Sequence, residues 1–146
     1  MSLDVQSTVV DSLDHLLSED CTIDSWYDEG VSFAHELLDE FKDVDWSNII
    51  SISKNRNTEW KKKLVYCIHG DYNQGLDLIK EFLRINDTEL KEMCIDSLRD
   101  YDALILRKFI SENKDVFDVL YKINSMDGTM CKIVQNYLMH KLNPLD

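Results

Sequence analysis

The stretch Trp26-Tyr27-Asp28-Glu29-Gly30-Val31-Ser32-Phe33-Ala34-His35-Glu36-Leu37-Leu38-Asp39-Glu40-Phe41-Lys42-Asp43 decides the fold class. Tyr27, Val31, Ala34, Leu38 and Phe41 recur at steps of three or four, flanked by Trp26, Phe33 and Leu37. That is the period of a helix with one apolar side. The opposite side carries Asp28, Glu29, Ser32, Glu36, Asp39, Glu40 and Asp43, the most acidic helix face in the chain. Thr22 or Asp24 is placed to cap this helix.

The same period extends in both directions. Upstream, residues 3–18 space Leu3, Val9, Leu13, Leu16 and Leu17 as a helix. Downstream, Asp45 is expected to cap a short helix bearing Trp46, Ile49, Ile50 and Ile52, followed by a polar turn at Lys54, Arg56 and Asn57. Thr58 is expected to cap a helix with Trp60, Leu64, Val65, Cys67 and Ile68, which Gly70 ends through a left-handed turn. Residues 72–85 bury Leu76, Leu78, Ile79, Phe82 and Leu83. Asp87 or Thr88 opens a helix carrying Leu90, Met93, Cys94, Ile95 and Leu98. Further helices are predicted at 102–111 (Leu104, Ile105, Phe109, Ile110), 115–124 and 128–142, with Pro144 just past the last. A single proline and four glycines leave such stretches uninterrupted. The predicted fold is all-α: antiparallel helical hairpins in a HEAT-like right-handed stack or bundle of about seven to eight helices. It forms one domain over 1–146, with acidic N-terminal helices at 1–44 and repeat-like hairpins at 45–142. Asn57-Thr58-Glu59-Trp60-Lys61 returns as Asp87-Thr88-Glu89-Leu90-Lys91, each copy opening an apolar helix.

Charge is distributed one-sidedly. Residues 1–50 hold 13 Asp or Glu and one base, Lys42, which accounts for the entire net charge of −12. Such a surface repels nucleic acid and anionic membrane and attracts basic proteins at long range. Lys61-Lys62-Lys63, the only dense basic run, fans around a helix axis and makes no phosphate-binding patch. No apolar run approaches the roughly 20 residues that span a bilayer. The first 20 residues carry five acids and no base, unlike a secretory leader, so a cytoplasmic location is expected. Cys21, Cys67, Cys94 and Cys131 lack paired spacing and are expected as thiols, three of them within apolar stripes.

No catalytic constellation emerges. His15, His35, His69 and His140 form no metal-binding pair, and phosphate-loop, dinucleotide and nucleophile-elbow motifs are missing. His69-Gly70-Asp71 reads as a helix C-cap rather than a base with its orienting carboxylate. Asp71, Asp77, Asp100 and Asp102 lack the ligand order of a calcium loop. The expectation is a non-enzyme with no cofactor and no metal, acting through a partner.

Trp46-Ser47-Asn48-Ile49-Ile50, Thr58-Glu59-Trp60-Lys61-Lys62-Lys63-Leu64, Asp87-Thr88-Glu89-Leu90-Lys91-Glu92-Met93 and Ile95-Asp96-Ser97-Leu98-Arg99-Asp100 carry a resemblance. Over about residues 45–104 the chain resembles the small all-α, HEAT-like immunity proteins of bacterial contact-dependent inhibition and polymorphic-toxin systems. HEAT-like scaffold proteins share these loose patterns. The resemblance implies a cytoplasmic antidote that occludes one cognate toxin domain, often a nuclease; the expected molecule is a monomer or weak dimer whose toxin is basic. It implies no catalytic residue. The alternative is a HEAT-like adaptor that holds another basic protein. The residues expected to meet the partner are Asp28, Glu29, Glu36, Asp39, Glu40 and Asp43 as a steering surface. Asp71, Tyr72, Asp100, Tyr101 and Asp102 form a second patch, and Trp26 is a further candidate anchor.

Overall fold

A computed structural model describes residues 8–113. Within them the chain is all-α, with seven helices and no strand, as the apolar periodicity implies. It divides into two compact units, Met1–Cys67 and Ile68–Asp146. The compositional boundary near residue 44 does not coincide with this division. The helices expected at 115–124 and 128–142, Leu3, Cys131, His140 and Pro144 lie outside the described residues.

The first unit contains α1 (Thr8–Ser18) and a continuous α2 made of Ile23–Ser25, a π-helical turn Trp26–Gly30 and Val31–Asp39. It continues with α3 (Asp43–Ser53) and α4 (Thr58–Cys67). α1 packs on α2, α3 and α4, and α2 also packs on α4. The core between them is Val10, Leu13, Leu17, Trp26, Ala34, Leu37, Leu38, Trp46, Ile49, Trp60, Leu64 and Val65. Val10, not Val9, faces inward from α1.

The π-helical turn sets which side of α2 is buried. In an α-helix, positions four apart drift by roughly 40°. A stripe at Trp26, Gly30, Ala34 and Leu38 would therefore wind off the core. The wider turn, closed by the Val31 N–H donating to the Trp26 carbonyl, takes up that drift. Trp26 goes in and Tyr27, expected in the core, turns out to be half exposed. Gly30 is required because the Trp26 ring lies over it: a Cβ there would stand 2.3 Å from Trp26 Cε3.

Caps follow the expected chemistry, with shifts of up to three residues. Thr22 Oγ1 accepts from the Ser25 N–H at 3.0 Å. α3 starts at Asp43, so Asp45 is inside its first turn and reaches back to accept from the Lys42 N–H at 2.8 Å. Asn57, not Thr58, caps α4: its Oδ1 accepts from the Trp60 N–H at 2.9 Å.

The second unit contains α5 (Gly75–Leu83), α6 (Thr88–Leu98) and α7 (Ala103–Glu112), with α5 packed on α6. Leu76, Leu78, Ile79, Phe82 and Leu83 are buried as predicted, as are Leu90, Cys94, Ile95 and Leu98. In α7 the buried residues are Leu106 and Phe109, while Leu104 is exposed. Asp87 caps α6, accepting from the Leu90 N–H at 2.9 Å, the same bond that Asn57 makes at the start of α4.

Candidate functional site

The six carboxylates of the steering surface are all exposed. Asp28 and Glu29 leave the π-helical turn, and Glu36, Asp39 and Glu40 follow on α2 on the side away from Ala34 and Leu38. Asp43 opens α3, where its charge opposes the helix dipole. The first unit thus presents an anionic side from Asp28 to Asp43.

The second predicted patch is brought together in space, although its tyrosines are interior. The Gly70 N–H donates to Asp100 Oδ2 at 2.9 Å, which ties the loop before α5 to the turn before α7. The Tyr101 hydroxyl donates to the Tyr72 carbonyl at 2.7 Å. Tyr101 is fully buried and Tyr72 nearly so, which removes both as surface anchors. Burial, with the Asp100 charge second, holds the Tyr101 phenol far above its ordinary value. Asp71, Asp100 and Asp102 remain exposed, and His69 Nδ1 lies 3.7 Å from an Asp71 carboxylate oxygen. Gly70 makes no left-handed turn; its backbone φ is negative. It is required by close approach, since a Cβ would stand 2.2 Å from the Asp100 carbonyl oxygen. The other anchor candidate, Trp26, is also buried, with Lys63 Nζ 5.5 Å from its ring centroid.

Two arrangements escaped the sequence reading. The first is a polar junction centred on Asp14. Arg56 donates to it twice, from Nε at 2.9 Å and from Nη2 at 2.7 Å, and the Trp60 indole N–H adds a third bond at 2.9 Å. The Arg56 hydrogen bonds hold the Asp14 carboxyl below its ordinary value against the opposing effect of burial, and the Trp60 bond adds to the lowering. A buried indole N–H needs an acceptor, and that need was the one available signal. The second is an exposed aromatic pair: the Tyr27 and Tyr66 rings meet edge to face with centroids 4.9 Å apart.

Each lysine of the run has a neighbour within the first unit. Lys61 Nζ donates to the Arg56 carbonyl at 2.9 Å, Lys62 lies 3.4 Å from Glu59, and Lys63 donates to the Glu19 carbonyl at 2.9 Å. A cleft of about 480 Å³ has mixed charge: Arg56 and Lys63 line it together with Glu19, Asp20 and Glu59. Among the described residues no group of three or more His, Cys, Asp or Glu could hold a metal ion. No described helix is long and apolar enough to cross a membrane.

Comparison with protein-family models, with curated proteins and with solved structures returns no match for this chain.

Proposed function

We propose that this protein is an immunity-type inhibitor that binds a basic toxin domain, in the first instance a nuclease, and occludes it by charge and shape. The observation that carries this reading is the exposed row of carboxylates from Asp28 to Asp43, within a first 50 residues that hold one base, Lys42. A nuclease groove is cationic because it holds phosphates, so carboxylates at its rim compete for the same sites. Complementary charge mainly speeds encounter. Speed is what an antidote needs in order to reach the toxin before the toxin's substrate does. Asp71, Asp100 and Asp102 form a second anionic patch open to the same kind of partner.

Co-expression with the product of the gene directly upstream tests the proposal. The expected result is rescue of growth together with co-purification of a stable complex. Rescue without complex formation, or a complex without rescue, sinks it. The adaptor reading is favoured by a different observation, the identical cap geometry at Asn57–Trp60 and Asp87–Leu90, which suits a repeat scaffold. It predicts a stable complex with a basic protein that has no toxicity of its own.

A further inference from the structure

We infer that the exposed strip formed by Ile23, Tyr27 and Tyr66 is the anchoring centre at which the protein docks an Arg- or Lys-rich protein surface. This inference rests on the binding role proposed above and names where that binding is held. Ile23, Tyr27 and half-buried Val31 follow at steps of four along α2, and α4 supplies Tyr66 against Tyr27. Ile23 is 73% exposed, and Tyr27 and Tyr66 are 50% exposed each. Single exposed apolar residues are ordinary. Here three are gathered from two helices of one unit, and two of them touch. The edge-to-face contact, with the rings inclined by 64°, holds both rings before a partner arrives. Binding then costs little side-chain freedom, a property that favours tyrosine as an interface anchor.

The surroundings identify the occupant. Asp24 and Asp28, both exposed, each follow one residue after Ile23 and Tyr27, and Glu36 and Asp39 continue the acidic side along α2. An apolar centre with a charged rim is the anatomy of a protein interface. The sign of the α2 side of this rim selects a cationic partner, and on α4 the two lysines nearest Tyr66 are engaged within the unit, Lys62 beside Glu59 and Lys63 on the Glu19 carbonyl. A tyrosine face attracts a guanidinium or ammonium group through its quadrupole, while the rim carboxylates draw the same groups in from a distance. Anionic bilayers and nucleic acids meet repulsion at the same rim.

Titration of the full chain with a short peptide repeating Gly-Arg-Leu, followed by amide NMR shifts and calorimetry at low salt, tests this. Shifts are expected to centre on residues 23–31 and on Tyr66. The double variant Tyr27→Ala/Tyr66→Ala should weaken binding by about tenfold, as the loss of two modest cation–π contacts requires. The pair Tyr27→Phe/Tyr66→Phe should bind like wild type, because the ring face is kept. A peptide repeating Gly-Arg-Ser should bind more weakly, and one repeating Gly-Glu-Leu should not bind. Unchanged far-UV circular dichroism would show that the alanine variant folds. Equal binding by the alanine variant, or shifts spread evenly over Asp96, Asp100 and Asp102 as well, would overturn the inference. The two proposals fail separately. If the peptide binds as described but growth is not rescued, the toxin reading falls and the anchor stands. If the alanine variant rescues growth and binds the toxin as tightly as wild type, the anchor falls and the toxin reading stands.

Discussion

Asp14 and Arg56 are 42 positions apart, and in the folded chain they join α1 to the turn before α4 through a two-pronged ion pair. The Trp60 indole and, at 3.4 Å, the Ser18 hydroxyl also donate to this carboxylate. Replacing Asp14 with Asn removes the charge that all of these donors serve. The expected loss is about 1.5–3 kcal/mol, typical of hydrogen bonds to a charged group, read from urea unfolding at pH 7. The Asp14 carboxyl is lowered in the folded state. Its contribution is therefore fully present above the unfolded carboxylate value and is lost as pH falls through the folded one. The stability gap between wild type and Asp14→Asn should accordingly be flat from about pH 5 to 8 and close below about pH 4. The thiols divide just as sharply. Burial pushes Cys67 up to about 12 and raises Cys94 further, whereas Cys21 is exposed. Among these three, peptide mapping after brief alkylation at pH 8 should find label on Cys21 alone, because the thiolate is the reacting form.

At the scale of the element, the π-helical turn governs α2, and Gly30 makes it possible. Gly30→Ala gains up to about 1 kcal/mol in helix propensity. It also drives a methyl into a buried indole, an overpacking that costs about 1–3 kcal/mol. The net effect should be destabilising, and loss of near-ultraviolet dichroism from Trp26 would report the displaced ring. An equally stable variant with an unchanged aromatic signal would show that the π turn relaxes to an α turn at no cost. The caps Asn57 and Asp87 make the same bond at the starts of α4 and α6. Asn57→Ala and Asp87→Ala should each cost about 1 kcal/mol in thermal or urea unfolding.

At the scale of the whole molecule, the charge imbalance is a statement about encounter, not about stability. Reversing Glu36, Asp39 and Glu40 to Lys leaves the buried stripe of α2 untouched and spares Asp43, which supports the first turn of α3. The association rate with the upstream gene product should fall by about ten- to a hundredfold at low salt and by much less above about 0.5 M. The dissociation rate should change little, because the anchor at Tyr27 and Tyr66 is intact. A rate insensitive to both the reversal and salt would remove α2 from the encounter surface.

Helix existence was legible from the residues alone, because a stripe at steps of three or four is a local property of the chain, and α5 and α6 bury almost the side chains that the period selects. The exposure of the acidic face was legible for the same reason: a helix side made of ionised carboxylates is costly to take out of water. Whether an aromatic residue packs or points outward depends on less than half a helical turn. The inserted turn at Trp26–Gly30 therefore exchanged Trp26 for Tyr27 in the core, and burial made Tyr72 and Tyr101 interior. The bond from Gly70 to Asp100 and the bonds from Arg56 and Trp60 to Asp14 join residues 30 to 46 positions apart. No local pattern encodes such pairs, because the three-dimensional packing of the helices alone brings donor and acceptor within reach.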